Sequence, residues 1–518
     1  MVTDLPELRH HIAQHLDLDT LKAFSLVCKA WYLDAHPLLW QRSNCRIPWW
    51  TLTDRSGTWL RTFLKNAPSL RHIYYDELNE PIAPKLCEML LERCHGLITI
   101  EAILDAVSGY SLTGYWEEAL RPLVEQNKDS LRRLWLRAIE KLSIGSLRLP
   151  SMLASLPSLQ SLELGAPSMM VEDLLPILDA CPSSLERLVL SSSVGRRGKL
   201  DSVTHPRQSH LRLKHLRIDG ACYENTLEDI LLRLAVHSLE EFELYTAFFL
   251  QACTLSNAFW RLTRLDLHRM RPRPERILPQ ILDAIHPHQL RHVHLGKLCT
   301  DCVAKLIEQQ HQSLETLDVS FKDHHAGALS DILATCGKLK SLLFAAQPYV
   351  DIRALIDSQR PWVCTELEAF EGVFGLSPLL LPGDSSANRD AECPRQVEIQ
   401  FMQRLGQLTK LRRLTQSYDA LGQTFHVAGI NRDADTEIMG WSLSTGLEHL
   451  DGLARLQTLR LLDRPLPKGI GIPEMIFIKR HWDSLQEIAC QRIRDNDLKE
   501  WLANDWPELG VTQGESMF

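Results

Sequence analysis

The sequence predicts an α/β fold in which a short all-α head precedes a long curved array of parallel strands alternating with helices. The main observation is the unit L-x-x-L-x-L, which recurs through most of the 518 residues; successive units from Leu131 to Leu367 begin 23 to 28 residues apart. The segments between units, such as VEDLLPILDACPSSL, have helical apolar spacing. Strands that alternate with helices form parallel sheets, here with the strands on the concave side and the helices on the convex side.

The unit allows Ile, Val or Phe at its second and third apolar positions. Full matches begin at Leu131, Leu159, Leu185, Leu213, Leu239, Leu262, Leu290, Leu314, Leu339 and Leu456, and weaker ones at Leu70, Leu97, Leu367, Leu411 and Leu485. This spacing resembles that of leucine-rich repeats, whose period is about 20 to 29 residues. Cysteines near the ends of several predicted helices resemble a cysteine-containing class of these repeats, and we expect them to pack as small apolar residues: Cys94, Cys181 and Cys336.

The head carries more large apolar side chains than a bundle of its size can bury. Leu8, Ile12 and Leu16 follow at spacings of four, which predicts one helix. A second helix is predicted to start near Asp19, to run through Leu33, and to end before Pro37. A bundle of about forty residues is marginally stable alone and usually needs a partner surface.

The head resembles an F-box. The matching residues are Leu5, Pro6, Glu7, Leu8, Ile12, Leu16, Leu21, Leu26, Val27, Cys28, Lys29, Trp31, Leu39 and Trp40. The resemblance implies that the head docks on the adaptor subunit of an SCF-type (cullin-RING) ubiquitin ligase and that the rest of the chain selects a protein substrate. It implies adaptor-binding roles for Leu5, Pro6, Ile12, Leu16, Val27, Cys28 and Trp31. The alternative is a non-degradative scaffold whose head caps the repeats or binds the adaptor without a ligase.

The composition favours a soluble protein without nucleic-acid or membrane partners. Hydrophobic residues make up 45%, and no apolar run approaches the roughly 18 residues that a membrane span needs. The net charge of −8 provides no excess of positive charge that would attract nucleic acid or anionic lipid. Without an apolar signal core, we expect a cytoplasmic or nuclear location and reduced thiols for the 13 cysteines.

The sequence does not predict an enzyme, a cofactor or a metal site. It contains no phosphate-binding loop, nucleophile elbow or zincin motif. Cys299 and Cys302 form one C-x-x-C without a second pair at zinc-finger spacing. Two histidine pairs without accompanying ligands are expected to be solvated loop residues: His286 with His288, and His324 with His325.

Residues that alternate with the repeat leucines are predicted to face the concave side, where a substrate would bind. Trp and Tyr beside Arg are residue types that contribute strongly to protein interfaces. The alternative is an ordinary solvated sheet face, which also carries charges. The candidate binding residues are Arg133, Trp135, Arg137, Arg187, Arg217, Asp219, Glu241, Glu243, Tyr245, Asp266, His268, His292 and His294.

The expected organisation has five parts. Residues 1–45 form the head, 46–130 a linker with irregular first repeats, and 131–375 the regular repeats. Residues 376–502 contain degenerate repeats with long insertions, and 503–518 are expected to be a tail. The insertion at 382–394 lacks apolar anchors and is expected to be disordered, whereas 418–445 is expected to be ordered.

Overall fold

A computed structural model gives the structure of the chain. It describes residues 6–42, 45–46, 61, 63, 65–75, 90–104, 116–138, 147–195, 211–220, 230–231, 234, 238–245, 259–267, 274–321, 326–345, 350–357, 360–372, 374–376, 394–416, 437–438, 441–465, 470–493 and 495–513. The chain forms two compact units, 1–254 with 258–260, and 255–257 with 261–518, called unit 1 and unit 2 below.

Unit 1 begins with three helices, α1 (Pro6–His15), α2 (Leu18–Ser25) and α3 (Lys29–Arg42). They pack around a small core of Ala13, Leu21, Phe24, Ala35 and Leu38. The side chain of Arg9 on α1 donates to Asp34 on α3 across 2.7 Å, with both side chains largely buried. These helices form the head, and their core is too small to enclose all of the apolar residues that they carry.

The structure corrects two predictions for the head. The second helix begins at Leu18 and ends at Ser25, and Asp17 caps its start by accepting a hydrogen bond from the Thr20 backbone N–H. A separate helix starts at Lys29 and continues through Pro37 instead of ending before it. Pro37 removes one backbone hydrogen bond, but the turn beyond it buries Leu38 in the core, which offsets that loss.

The described residues in the rest of unit 1 form eight strands, and each strand pairs in parallel with the next along the chain. They are β1 (Cys45–Arg46), β2 (His72–Tyr75), β3 (Thr99–Leu104), β4 (Arg133–Ala138), β5 (Ser161–Met170), β6 (Arg187–Gly195), β7 (His215–Asp219) and β8 (Glu241–Tyr245). Connecting segments contain the short helices Ala67–Ser69 (3-10) and Trp116–Leu120 (π), and α4 (Arg121–Gln126), α5 (Leu149–Leu153) and α6 (Val171–Ala180).

The described part of unit 2 repeats this arrangement with nine parallel strands. In chain order its strands are β9 (Arg264–Leu267), β10 (His292–Leu298), β11 (Thr316–Phe321), β12 (Ser341–Ala345), β13 (Val350–Asp351), β14 (Ala369–Gly372), β15 (Phe374–Leu376), β16 (Arg413–Gln416), β17 (Glu437–Ile438), β18 (Thr458–Pro465), β19 (Glu487–Arg492) and β20 (Gly510–Gln513). Three of them, β13, β15 and β17, form a separate small sheet, in which β15 and β17 are antiparallel.

Helices connect the strands of unit 2. They are α7 (Pro274–Asp283), α8 (Thr300–Gln310), α9 (Ala326–Thr335), α10 (Ile352–Asp357), α11 (Pro394–Gly406), two 3-10 turns (Leu443–Thr445 and Leu447–Leu450), α12 (Ile472–His481) and α13 (Asn496–Asp505). The predicted tail from residue 503 is corrected: α13 continues to Asp505, and β20 pairs with β19. Residues 382–393 and 418–436 lie outside the described residues.

The repeat leucines set the register of both sheets. All fifteen of the leucines that begin a unit are buried, and each lies two residues before a strand. In β4 the burial alternates, so that Leu134 and Leu136 are buried while Arg133 and Arg137 are exposed. The same apolar positions pair across β4 to β8, which places the intervening residues on the opposite face of the sheet.

Candidate partner-binding surfaces

The head presents an exposed apolar surface. Eight large hydrophobic side chains are classed as exposed in the described residues, and five of them belong to the head. Leu26 is 83% exposed, Val27 66% and Leu33 61%, and Tyr32 and Ile12 are less so. A concentration of this kind within 22 residues is typical of a surface that a partner covers.

The predicted adaptor-binding residues fall into two groups. Pro6, Ile12, Val27 and Cys28 are exposed, as a direct contact requires. Leu16 and Trp31 instead pack against the core of the head, where the Trp31 ring lies 3.7 Å from that of Phe24. Leu5 lies outside the described residues.

Leu26, Tyr32 and Leu33 were not among the predicted adaptor-binding residues. The sequence predicted one helix from Asp19 through Leu33, whereas the structure breaks the helix between Ser25 and Lys29. The break itself carries no Gly or Pro, so no local signal marks it.

The exposed sheet face of unit 1 is formed by the residues that alternate with the buried apolar positions of β2 to β8. One row across these strands pairs directly in register, and each member is the fourth residue after a repeat leucine. The row is Tyr74, Glu101, Trp135, Glu163, Val189, Arg217 and Glu243. Tyr74, Glu101 and Glu163 were not among the candidates, although the same spacing rule that selected Trp135 selects them.

Two aromatic rings meet on this face. The rings of Tyr74 and Trp135 stack with their centroids 5.9 Å apart and an interplanar angle of 24°. Glu101 lies on the strand between them, and its partial burial raises the pKa of its carboxyl group, while Arg133 opposes that shift. The predicted binding residue Trp135 is therefore half-buried and held by a neighbour.

Glu163 lies beside Trp135 on the next strand. Burial raises the pKa of its carboxyl group, and the charges that act on it come from both sides of its own strand. Arg217, Arg187 and Arg133 lower the pKa, whereas Glu101 raises it. The effect of desolvation on this pKa is larger than the opposing effect of the three guanidinium groups. At neutral pH the ionised Glu163 carboxylate therefore destabilises the folded state.

The candidates on β7 and β8 form a connected cluster. The Arg217 side chain donates to Asp219 across 3.1 Å and lies 4.8 Å from the Tyr245 ring centroid. The Tyr245 hydroxyl donates to Glu243 across 3.2 Å. Nδ1 of the buried His215 is hydrogen-bonded to Glu241 at 2.7 Å. These acidic side chains therefore have partners within the protein.

His215, Glu241 and Glu243 also have the donor set of a metal site, because one donor atom from each lies within 4.8 Å of the others. However, the Arg217 Nε lies 3.9 Å from Glu243 and would repel a cation there. The hydrogen bonds already made by Glu241 and Glu243 account for the arrangement without an ion.

The candidates of unit 2 are only partly accessible. Asp266 is 7% exposed, which corrects its prediction as an open binding residue. His292 and His294 are half-buried and contact Thr316 at 3.1 Å and Asp318 at 3.3 Å on the neighbouring strand. His268 lies outside the described residues.

The cysteines at helix ends pack as expected. Cys94 and Cys336 are buried, and burial raises the pKa of Cys181 to about 12 and that of Cys336 to about 11. Their thiols are therefore protonated at neutral pH. Cys299 and Cys302 lie at the start of α8 with their sulfur atoms 3.4 Å apart, and Cys302 is buried.

We expect Glu163→Gln to stabilise unit 1 at neutral pH. A carboxyl group whose pKa is raised by folding favours the folded state below its ordinary pKa, and this contribution is lost as the pH rises through the folded pKa. Glutamine has the same shape but does not ionise. Between about pH 4.5 and 7 the free energy of unfolding should therefore decrease less for the variant than for the unmodified protein. Denaturant unfolding and hydrogen exchange of residues 159–164 measure the difference. The matched change at an exposed carboxylate, Glu92→Gln, should have no such effect, and equal pH slopes for Glu163→Gln and the unmodified protein would contradict the prediction.

The strand order and the register identify the architecture of the chain after the head. In each unit the strands form a leucine-rich-repeat array. No protein-family model and no curated protein matches the sequence. Among solved structures, an internalin of Listeria monocytogenes is similar over 83% of this chain and 89% of its own, with 11% identity and a TM-score of 0.32. TLR13 in complex with ssRNA13 is similar over 87% of this chain, with 14% identity and a TM-score of 0.36; the match spans only 63% of that chain. The assignment of the fold rests on the strand pairing and the buried leucines.

Among the described residues, no helix combines the length and apolarity needed to cross a bilayer.

Proposed function

We propose that this protein is the substrate-recognition subunit of an SCF-type ubiquitin ligase and has no catalytic role of its own. The observation that carries the proposal is the exposed apolar surface of the head, on a segment whose sequence resembles an F-box. In this proposal the adaptor subunit covers that surface and links the chain to the cullin.

The packing of the head supports this role. Its core holds the three helices in place, while Val27, Leu26 and Leu33 remain in water. Complete burial of a side chain of this size contributes on the order of 1.5 to 3 kcal/mol to association, so a few such contacts suffice for a stable complex. A helical cap of a repeat array would instead expose polar side chains.

The repeat array supplies the substrate-binding part of the proposal. The exposed sheet face of unit 1 combines the Tyr74–Trp135 stack with arginines, which are residue types that contribute strongly to interfaces. A protein bound there is positioned so that one of its lysines meets the ubiquitin-loaded enzyme that the cullin recruits. The transfer chemistry belongs to other subunits.

Copurification with the adaptor tests the proposal. The intact chain, expressed with an affinity tag, should recover the adaptor and the cullin, whereas a chain that begins at residue 45 should recover neither. Circular dichroism of the shortened chain checks that the repeats remain folded. Recovery of the adaptor without the cullin would favour the scaffold function, and recovery of neither by the intact chain would refute the proposal.

A further inference from the structure

Three arginines on the exposed sheet face of unit 1 form no ion pair with any other residue that the structure describes. Arg133 and Arg137 on β4 and Arg187 on β6 are all exposed. Among the residues that the structure describes, no carboxylate lies within 4.0 Å of any of these three guanidinium groups. Elsewhere on the same unit arginines do pair, as Arg121 does with Glu117 and Glu125.

The acidic residues of β7 and β8 form no ion pairs with these arginines. Asp219 pairs with Arg217, Glu241 with His215, and Glu243 accepts from the Tyr245 hydroxyl. Each of these three carboxylates therefore has a partner within the β7–β8 cluster. In the sequence alone, these nearby carboxylates argue against an anion site. In the structure they bond to partners of their own.

The exposed face of β4 to β6 consequently carries three arginines against one carboxylate, that of Glu163. Trp135 and Val189 occupy the other central positions, and the small residues Ser161, Gly165 and Ser191 occupy flanking ones. The Arg137 side chain lies over Gly165, where an added Cβ would be 3.0 Å from its Cγ.

We propose that the arginine patch, formed by Arg133, Arg137 and Arg187, binds a protein segment with several closely spaced carboxylates. The proposal rests on the proposed function, since it specifies the chemistry of the substrate held by the same face. Guanidinium groups bind carboxylates through paired hydrogen bonds. The Tyr74–Trp135 stack beside the patch supplies an apolar contact for the same segment.

The spacing of the patch favours several carboxylates over one. Strands β4 and β6 lie about 10 Å apart, and Arg133 and Arg137 are separated by about 13 Å along their strand. An extended segment presents side chains on one face every ~7 Å, so alternate acidic residues can reach neighbouring arginines. A single small anion would contact only part of the patch.

The probe that tests this is a fluorescein-labelled peptide of alternating Glu and Gly residues, titrated with the full chain and followed by fluorescence anisotropy at low and moderate salt. The peptide should bind, a Gln-for-Glu peptide should not, and salt should weaken binding. Arg137→Gln and Arg187→Gln should each reduce the affinity by about fivefold or more. Glu163→Gln should increase it by roughly twofold to threefold, because a carboxylate among the arginines is removed.

The matched control is Arg360→Gln. Arg360 belongs to unit 2, is exposed and pairs with Asp331, so its replacement removes the same charge without touching the patch. The affinity of the Arg360→Gln variant for the Glu peptide should stay within about twofold of that of the unmodified chain. Circular dichroism of every variant checks folding.

Equal binding of the Glu and Gln peptides, or unchanged affinity in both arginine variants, would overturn the inference. Binding of a phosphoserine peptide but not of the Glu peptide would also overturn it. The chain that begins at residue 45 should bind the Glu peptide normally, so failure of the adaptor experiment and failure of this one can be told apart.

Discussion

Val27→Asp in the intact chain is expected to abolish copurification of the adaptor, with at least a hundredfold loss of affinity. Val27 is 66% exposed in the free head, so an aspartate there is solvated and costs the fold little. At a covered interface the same carboxylate would be desolvated without a partner, which is costly enough to prevent binding. Pull-down and titration calorimetry with purified adaptor measure the change.

Ile476→Asp provides the matched control for that experiment. Ile476 lies on α12 in unit 2 and is 43% exposed, so the substitution places the same charge at an accessible apolar position outside the head. It should leave adaptor binding unchanged. Trp31→Ala is less informative, because Trp31 packs on Phe24 and its loss would loosen the head itself. Wild-type recovery of the adaptor by Val27→Asp would mean that the apolar surface of the head serves another purpose.

Asn127→Ala is expected to destabilise unit 1 by about 3 to 5 kcal/mol, the largest single-site effect that we predict for its fold. The Asn127 side chain is buried, and its oxygen accepts hydrogen bonds from the backbone N–H groups of Gly96 at 2.7 Å and Leu97 at 2.9 Å. Its nitrogen donates to the Leu123 carbonyl at 2.8 Å. Alanine leaves all three backbone groups without this partner. The Asn127 amide also holds the turn at Gly96, whose φ of +96° is one that glycine adopts readily.

Thermal unfolding and hydrogen exchange of residues 94–100 test this prediction, with a decrease in melting temperature of roughly 10 °C expected for unit 1. The neighbouring amide is the control. Gln126 is partly exposed and its hydrogen bonds can be replaced by water, so Gln126→Ala should cost less than about 1 kcal/mol. Similar losses in the two variants would show that the buried amide has no special role.

Unit 2 contains a buried side-chain amide with the same hydrogen-bonding pattern. This indicates that the pattern is a feature of the repeat and not of one loop. Gln310 is fully buried, and its side-chain oxygen accepts from the backbone N–H groups of Gln289 and Leu290. Its nitrogen donates to the His286 carbonyl. Asn127 and Gln310 each lie four residues before a repeat leucine, yet neither was identified from the sequence, because polar residues at a helix end usually face solvent.

The sequence by itself determined the order of elements and the two faces of the sheets. Leu131, Leu159 and the other repeat leucines are buried because side chains in a strand alternate between its faces, so the spacing L-x-x-L-x-L fixes which side is apolar. The same rule correctly placed Arg133, Trp135 and Arg137 on the opposite side. In the head the sequence predicted one continuous helix where the structure has two, because no Gly or Pro marks the break between Ser25 and Lys29.

Only the tertiary structure decided which charged and polar groups have partners. The sequence places Arg187, Arg217, Asp219 and Glu241 on one face without indicating their pairing, because hydrogen bonds between neighbouring strands depend on register and rotamer. The structure bonds Glu241 on β8 to His215 on β7, 26 positions earlier, and brings no carboxylate of the described residues within 4.0 Å of Arg187. Alternation along a strand is a local property that one sequence can specify, whereas pairing across strands brings together residues more than twenty positions apart and requires the folded sheet.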